Sequence, residues 1–226
     1  MAADQITIEI AAGPTVPGLL LVPPKPFACL VLAHGAGAGM AHPFLTAVAE
    51  GLHQRGIATL RYQFPYMEAG SRRPDRPPLA HATVRAAVAA AARRAPGVKL
   101  IAGGKSFGGR MTSQAQSETA LRGVAGLAFF GFPLHPAGKP SDERAQHLRD
   151  IRVPMLFLQG ARDALADRTL LEAVLAGLGP LATGHFVPHA DHSLHVPARS
   201  GTTDQQVMAG ALDMLTDWAR GVVGRA

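Results

Sequence analysis

Short apolar runs alternate with longer amphipathic stretches along this chain, and the alternation predicts a parallel sheet with helices packed on both faces. Ile6 to Ile10 and Leu19 to Val22 flank Gly13-Pro14 and predict an opening antiparallel pair. The strand Ala28 to Ala33 follows, then a helix over Pro43 to Gln54 and a strand from Ala58 to Tyr62. A proline-rich loop, Gly70 to Pro78, leads into an alanine-rich helix, Ala80 to Arg94. Val98 to Ala102 is a buried strand, and a helix begins at Gly109. Strand Gly126 to Phe130, helix Asp142 to Leu148 and strand Pro154 to Gln159 come next. Helix Asp167 to Leu178, strand Ala182 to Val187 and a closing helix over Asp204 to Arg220 complete the order. In the closing helix, Val207, Ala211, Met214 and Trp218 recur at helical spacing and are expected in the core.

No repeat, low-complexity tract or linker interrupts the pattern, so residues 1–226 are expected to form one domain, a length that buries a substantial core. Hydrophobic residues make up 47%, an ordinary globular share, and no apolar stretch is long enough to span a bilayer. Met1 to Ile10 lacks the charged-then-apolar pattern of a secretory leader, so a cytoplasmic protein is expected. The one cysteine, Cys29, cannot form an internal disulfide and lies within an apolar run, where a buried strand residue is the expectation.

The formal charge is +6, with a local group at Arg72, Arg73 and Arg76. Aromatic residues are only 5% and do not interleave with the basic ones as stacking platforms, so neither nucleic acid nor a membrane is the expected partner. A small-molecule substrate is expected instead. Nothing in the sequence sets the oligomeric state, and a homodimer is allowed.

Between the predicted strand ending at Ala102 and the helix beginning at Gly109 stands Gly104-Lys105-Ser106-Phe107-Gly108. A G-x-S-x-G segment in strand–turn–helix context is a nucleophile elbow: a sharp turn lifts the serine hydroxyl above the sheet edge, and its neighbours must be small. Three further segments, each after a predicted strand, supply what a nucleophilic serine needs. His34-Gly35-Ala36-Gly37-Ala38-Gly39 is a loop whose backbone can approach a substrate closely, and the N–H groups of Ala36 and Phe107 are the expected oxyanion donors. The glycines also mimic a dinucleotide fingerprint, but the third is wrongly spaced and the next strand carries Arg61 where an acidic residue is needed. Asp163, in Gly160-Ala161-Arg162-Asp163, can orient a base, with a turn or capping aspartate as the competing role.

The base is expected from Pro188 to His195, which holds three of the ten histidines. His192 is the choice, with His189 and His195 as fallbacks. His189-Ala190-Asp191-His192 resembles half of a metal motif, but its first histidine position is Val187 and no distant ligand set is evident, so neither metal nor cofactor is expected. Ser106, Asp163 and His192 then form a Ser…Asp…His series in chain order.

With these segments in place, the chain resembles small α/β-hydrolases related to dienelactone hydrolases. The resemblance is closest to the hydrolase-like family of the NSL chromatin-complex subunit and testis-expressed hydrolase-like proteins. It rests on His34 to Met40 with His42-Pro43, on Arg61 to Glu68, on Gly104 to Met111 and on Gly131 to Pro140. It implies an α/β-hydrolase fold, a mostly parallel twisted sheet with helices on both faces, and a serine hydrolase. Dienelactone hydrolases proper use a cysteine where this chain has Ser106.

The expected reaction is cleavage of a small ester or thioester through an acyl-enzyme. The alternatives are a non-catalytic hydrolase-like scaffold module and cofactor-free perhydrolysis on the same triad. About twenty residues separate strand Gly126 to Phe130 from strand Pro154 to Gln159, too few for a lid domain. Lys105, Arg110, Arg61, His135 and Lys139 are candidate contacts to an anionic acyl group, structural ion pairing being the competing role.

Overall fold

The computed structural model describes residues 3–11 and 13–224. Eight strands join one sheet: β1 (Asp4–Glu9), β2 (Thr15–Leu21), β3 (Ala28–Ala33), β4 (Ile57–Tyr62), β5 (Lys99–Lys105), β6 (Val124–Phe130), β7 (Met155–Gly160) and β8 (Ala182–Val187). Their spatial order is β1-β2-β4-β3-β5-β6-β7-β8. β2 pairs antiparallel with both β1 and β4, and every other pairing is parallel. After β3 the chain crosses to β4 on one side, and β5 then returns to the other. The sheet order therefore switches direction between β3 and β5, and a crevice opens at their carboxyl ends, where open α/β sheets bind ligands.

The helices are α1 (Pro43–Gln54), α2 (Pro65–Glu68), α3 (Pro77–Arg94), α4 (Phe107–Glu118), α5 (Arg168–Leu178) and α6 (Asp204–Val223). Because side chains alternate along a strand, β3 feeds two cores. Cys29, Val31 and Ala33 face the side covered by α3, α4 and α5, while Ala28, Leu30 and Leu32 face α1 and α6. Cys29 is fully buried, and burial pushes its thiol up to about 12, far from a reactive thiolate.

Two elements are refined by the structure. The helix read over Asp142 to Leu148 is of the 3-10 type, Glu143–Asp150. Its two buried residues, Ala145 and Leu148, are three apart, which suits three residues per turn. In α6 the buried arc runs through Val207, Ala211, Leu212, Leu215, Ala219 and Val222, leaving Met214 and Trp218 at its half-buried margin. Thr203 and Gln206 form a reciprocal capping box at its start.

The short span between β6 and β7 holds only that 3-10 helix among the described residues, so there is no lid domain. No helix is long and apolar enough to cross a membrane among the described residues.

Candidate active site

Ser106 sits between β5 and α4 with φ 50° and ψ −115°, a conformation that costs a non-glycine residue roughly 1–3 kcal/mol. The flanking glycines explain how so sharp a turn packs. A Cβ at Gly104 would lie 2.5 Å from the Ala33 carbonyl oxygen, and one at Gly108 would lie 2.5 Å from that of His34. Any side chain at either position would drive the elbow off β3.

His192 reaches Ser106 from the loop after β8. Its Nε2 lies 2.8 Å from Ser106 Oγ, and its Nδ1 lies 2.7 Å from Asp163 Oδ2. The carboxylate can only accept, so Nδ1 carries the proton and Nε2 is free to accept from the hydroxyl. Asp163 is buried at the end of β7. Its Oδ1 accepts from the Leu165 N–H at 2.7 Å, and its Oδ2 also accepts from Gln159 Nε2 at 2.5 Å. Gln159 Oε1 accepts from the Phe132 N–H at 2.8 Å, which fixes the amide so that its NH₂ faces the carboxylate. Sequence reasoning missed Gln159. The signal was there: one polar residue within the otherwise apolar strand Met155-Leu156-Phe157-Leu158.

The glycine-rich loop after β3 is held by the segment after β4. The Phe64 N–H donates to His34 Nε2 at 3.0 Å, so Nδ1 bears the proton and donates to the Gly35 carbonyl at 2.8 Å. Burial pushes the His34 imidazole down to about 4, which keeps it neutral. Gly37 N–H donates to Tyr66 Oη at 3.2 Å, and Met40 N–H to Gln63 Oε1 at 2.9 Å. Arg61 is buried, and its Nη1 donates to the Met40 carbonyl and to Thr46 Oγ1 at 2.7 Å. Phe64 also packs edge-on against Phe107, with ring centroids 5.3 Å apart, which ties this scaffold to the elbow. Among the described residues, the N–H groups of Ala36 and Phe107 make no hydrogen bond within the protein. Phe107 is the first residue of α4, so its donor also lies at the positive end of a helix dipole.

Above Ser106 is a cleft of about 390 Å³ with apolar walls from Ala36, Ala38, Phe44, Leu45 and Leu165. Hollows of about 550 Å³ beside Arg85 and Leu121 and about 500 Å³ beside Pro154 and Trp218 are larger. Neither is lined by a nucleophile beside a base, which makes the smaller cleft the candidate site.

Of the five side chains expected to meet an anion, Lys105 lines this cleft. Arg61 is spent on the glycine loop, and Lys139 is exposed on the loop before the 3-10 helix. His135 is buried with both ring nitrogens engaged, Nδ1 by the Pro136 carbonyl at 2.9 Å and Nε2 by the Asp167 N–H at 2.7 Å. Arg110 is half-buried outside the cleft lining, its basicity lowered by burial and by Arg144. Of the fallback bases, His189 is exposed, and His195 Nδ1 pairs with Asp204 Oδ2 at 2.8 Å on the surface. Asp191 Oδ1 accepts from the N–H groups of Ser193 and His195, so it staples the loop that presents His192. No three His, Cys, Asp or Glu side chains converge in a metal-binding arrangement among the described residues.

Solved structures share this architecture. The esterase domain of a Rhodothermus marinus protein matches with a TM-score of 0.75 at 18% identity, covering 99% of this chain and 100% of that one. Dienelactone hydrolase from Anabaena variabilis matches at 0.73 and 19% identity, over 99% and 97%. A serine hydrolase without a lid from Xanthomonas campestris matches at 0.68 and 18%, over 95% of each chain. At such identities the likeness establishes the fold. The sequence model of the alpha/beta hydrolase domain matches residues 26–220, most of the chain, and the protein belongs to the alpha/beta hydrolase family.

Proposed function

We propose that the protein is a serine hydrolase that cleaves a small ester or thioester through an acyl-enzyme. The observation that carries this reading is the continuous hydrogen-bonded series Ser106–His192–Asp163 at the floor of an open cleft. Ser106 Oγ attacks the acyl carbon as its proton passes to His192 Nε2. The carbonyl oxygen gains the electron pair and is received by the N–H groups of Ala36 and Phe107. Collapse of the tetrahedral intermediate breaks the bond to the alcohol or thiol, which leaves with the proton from His192. Water then loses a proton to the same nitrogen and attacks the acyl-enzyme; collapse breaks the acyl–Oγ bond, Ser106 Oγ takes the proton back from His192 Nε2, and the acid leaves. Asp163 keeps the imidazole in the required tautomer and stabilises the imidazolium formed in each half-reaction.

The apolar walls suit a short acyl group, and the absence of a lid suits substrates that are not long lipids. Within the family, we read the chain as related to dienelactone hydrolases and to the hydrolase-like proteins of the NSL chromatin complex. We read it as a cytoplasmic, single-domain enzyme that needs no cofactor.

Turnover of p-nitrophenyl acetate and butyrate tests the reading. Ser106→Ala is expected to lose on the order of a thousandfold or more, because Ser106 Oγ is the hydroxyl hydrogen-bonded to His192 Nε2. Equal rates for both proteins would overturn the assignment. A fluorophosphonate probe is expected to label Ser106; an unlabelled serine would make the chain a non-catalytic interaction module.

A further inference from the structure

Lys105 is the last residue of β5 and immediately precedes the nucleophile, yet it is only 8% exposed. Its Nζ donates to the backbone carbonyl of His192 at 2.6 Å. The ring of Phe44 lies under the ammonium at 5.7 Å. The third wall is Gly131, at the end of β6, where a Cβ would come within 3.0 Å of Nζ and 2.8 Å of the His192 carbonyl oxygen. Segments after β5, β6 and β8 therefore meet at one buried ammonium.

This is an unusual way to bury a cation. Among the described residues no carboxylate accepts from Nζ directly, although Asp163 and Asp191 favour the charge through space. Burial outweighs them and pushes the amine down to about 8. A lysine kept solely for solubility would reach solvent. What this one holds is the peptide group from which the imidazole hangs.

We propose that Lys105 is a positioning residue for the reaction: by holding the His192 carbonyl it locks the histidine loop onto the nucleophile elbow and sets the distance between Nε2 and Ser106 Oγ. This rests on the serine-hydrolase reading above. The ring is fixed at its two nitrogens by Asp163 and Ser106; the loop backbone is closed by Asp191 and by the Arg162 N–H to the Ala190 carbonyl, and Lys105 is the side chain that holds the carbonyl of His192 itself. A loop displacement well under 1 Å would lengthen the Nε2–Oγ bond, and proton transfer is sensitive to displacements of that size.

The experiment compares wild type with Lys105→Met, which keeps the apolar stem and removes the donor. Steady-state kinetics use a neutral and a carboxylate-bearing p-nitrophenyl ester. The expected result is a fall in kcat of roughly 10–100-fold on both esters with KM nearly unchanged. Unchanged kcat, or a rise in KM confined to the carboxylate ester, would overturn the proposal and make Lys105 a substrate contact. In parallel, proton NMR follows the far-downfield His192 Nδ1 proton, which reports the bond to Asp163 without turnover. Its loss or broadening in Lys105→Met supports the proposal, and an unchanged signal overturns it. Should the wild type cleave neither ester, this spectrum still decides the role of Lys105, while the failed assay counts against the hydrolase reading alone. Lys105→Gln, which restores a shorter N–H donor without charge, serves if the methionine variant does not fold. The same losses are expected from it, to a smaller extent.

Discussion

Ser106 stands between a strand whose last six residues are buried and a helix whose first glycine, Gly108, lies against Ala33 and the backbone of His34. His192 hangs from a loop in which His189, Ser193 and His195 face solvent, held by Lys105 and by the Asp191 carboxylate. On the elbow side position is enforced by close packing, which leaves no alternative conformation without a clash. On the histidine side the loop backbone is also close-packed, Ala190 and Asp191 against Gly160 and His192 against Gly131, while the imidazole itself is set by hydrogen bonds to Asp163 and Ser106. Packing therefore holds the backbone on both sides, and hydrogen bonds set the one group that has to move a proton.

Breaking the bond that fixes the His192 tautomer should give the largest effect. In Asp163→Asn the amide can donate to Nδ1, which favours the tautomer with its proton on Nε2, the wrong one for accepting from Ser106. A kcat loss on the order of 10⁴-fold is expected, measured on the same esters, with little change in KM. A loss below tenfold would mean that the packing alone positions the histidine.

Acid should sharpen the contrast from the elbow side. His34 is fully buried and its folded-state value, about 4, lies below its ordinary 6.5. Between these values the unfolded chain takes up a proton that the folded chain refuses, so stability falls as pH drops from about 6.5 to 4. The contribution lost is about 3 kcal/mol by pH 4 and does not grow further below it. His147, bonded to Ser113 Oγ at 2.8 Å and also pushed down to about 4, adds a slope of the same sign. Urea unfolding at pH 7 and 4.5 should show His34→Asn less stable at pH 7 but with a shallower acid dependence than wild type. An unchanged slope would show that His34 is not held neutral.

The smallest effect is expected at the outer edge of the histidine loop. The carboxylate of Asp204 raises the basicity of His195 and is itself held low by it, but both groups are exposed. Asp204→Asn should change Tm barely measurably between pH 5 and 8 and leave kcat intact. A clear fall in kcat would mean that the surface pair, rather than Lys105, anchors the loop.

The strands are readable because β3 to β7 are nearly continuous apolar runs, and Ser106 and Asp163 stand out because each follows one; His192 follows the more exposed β8 and stands out instead by its histidine-rich loop. What escaped was tertiary. Nothing local reveals that the end of the Lys105 side chain meets a carbonyl 87 residues away, or that His135 points both nitrogens at backbone. The role of Arg61 to Tyr66 as a brace for the glycine loop has the same origin, since it depends on β4 lying beside β3. The helix before β7 is legible as a helix but not as the 3-10 type, because Ala145 and Leu148 fit a three-residue and a near-helical period equally well.

The brevity of the segment between β6 and β7 has a kinetic meaning. An active site with no cover to close cannot use closure to select its substrate, and it has no opening step to wait for when product leaves. On the proposed reaction, bulk water also reaches the acyl-enzyme throughout its lifetime. Transfer of the acyl group to another alcohol would have to compete with a solvent at full concentration. On that proposal, discrimination falls to the fit of the acyl group in the cleft, and water is the acceptor it most often meets.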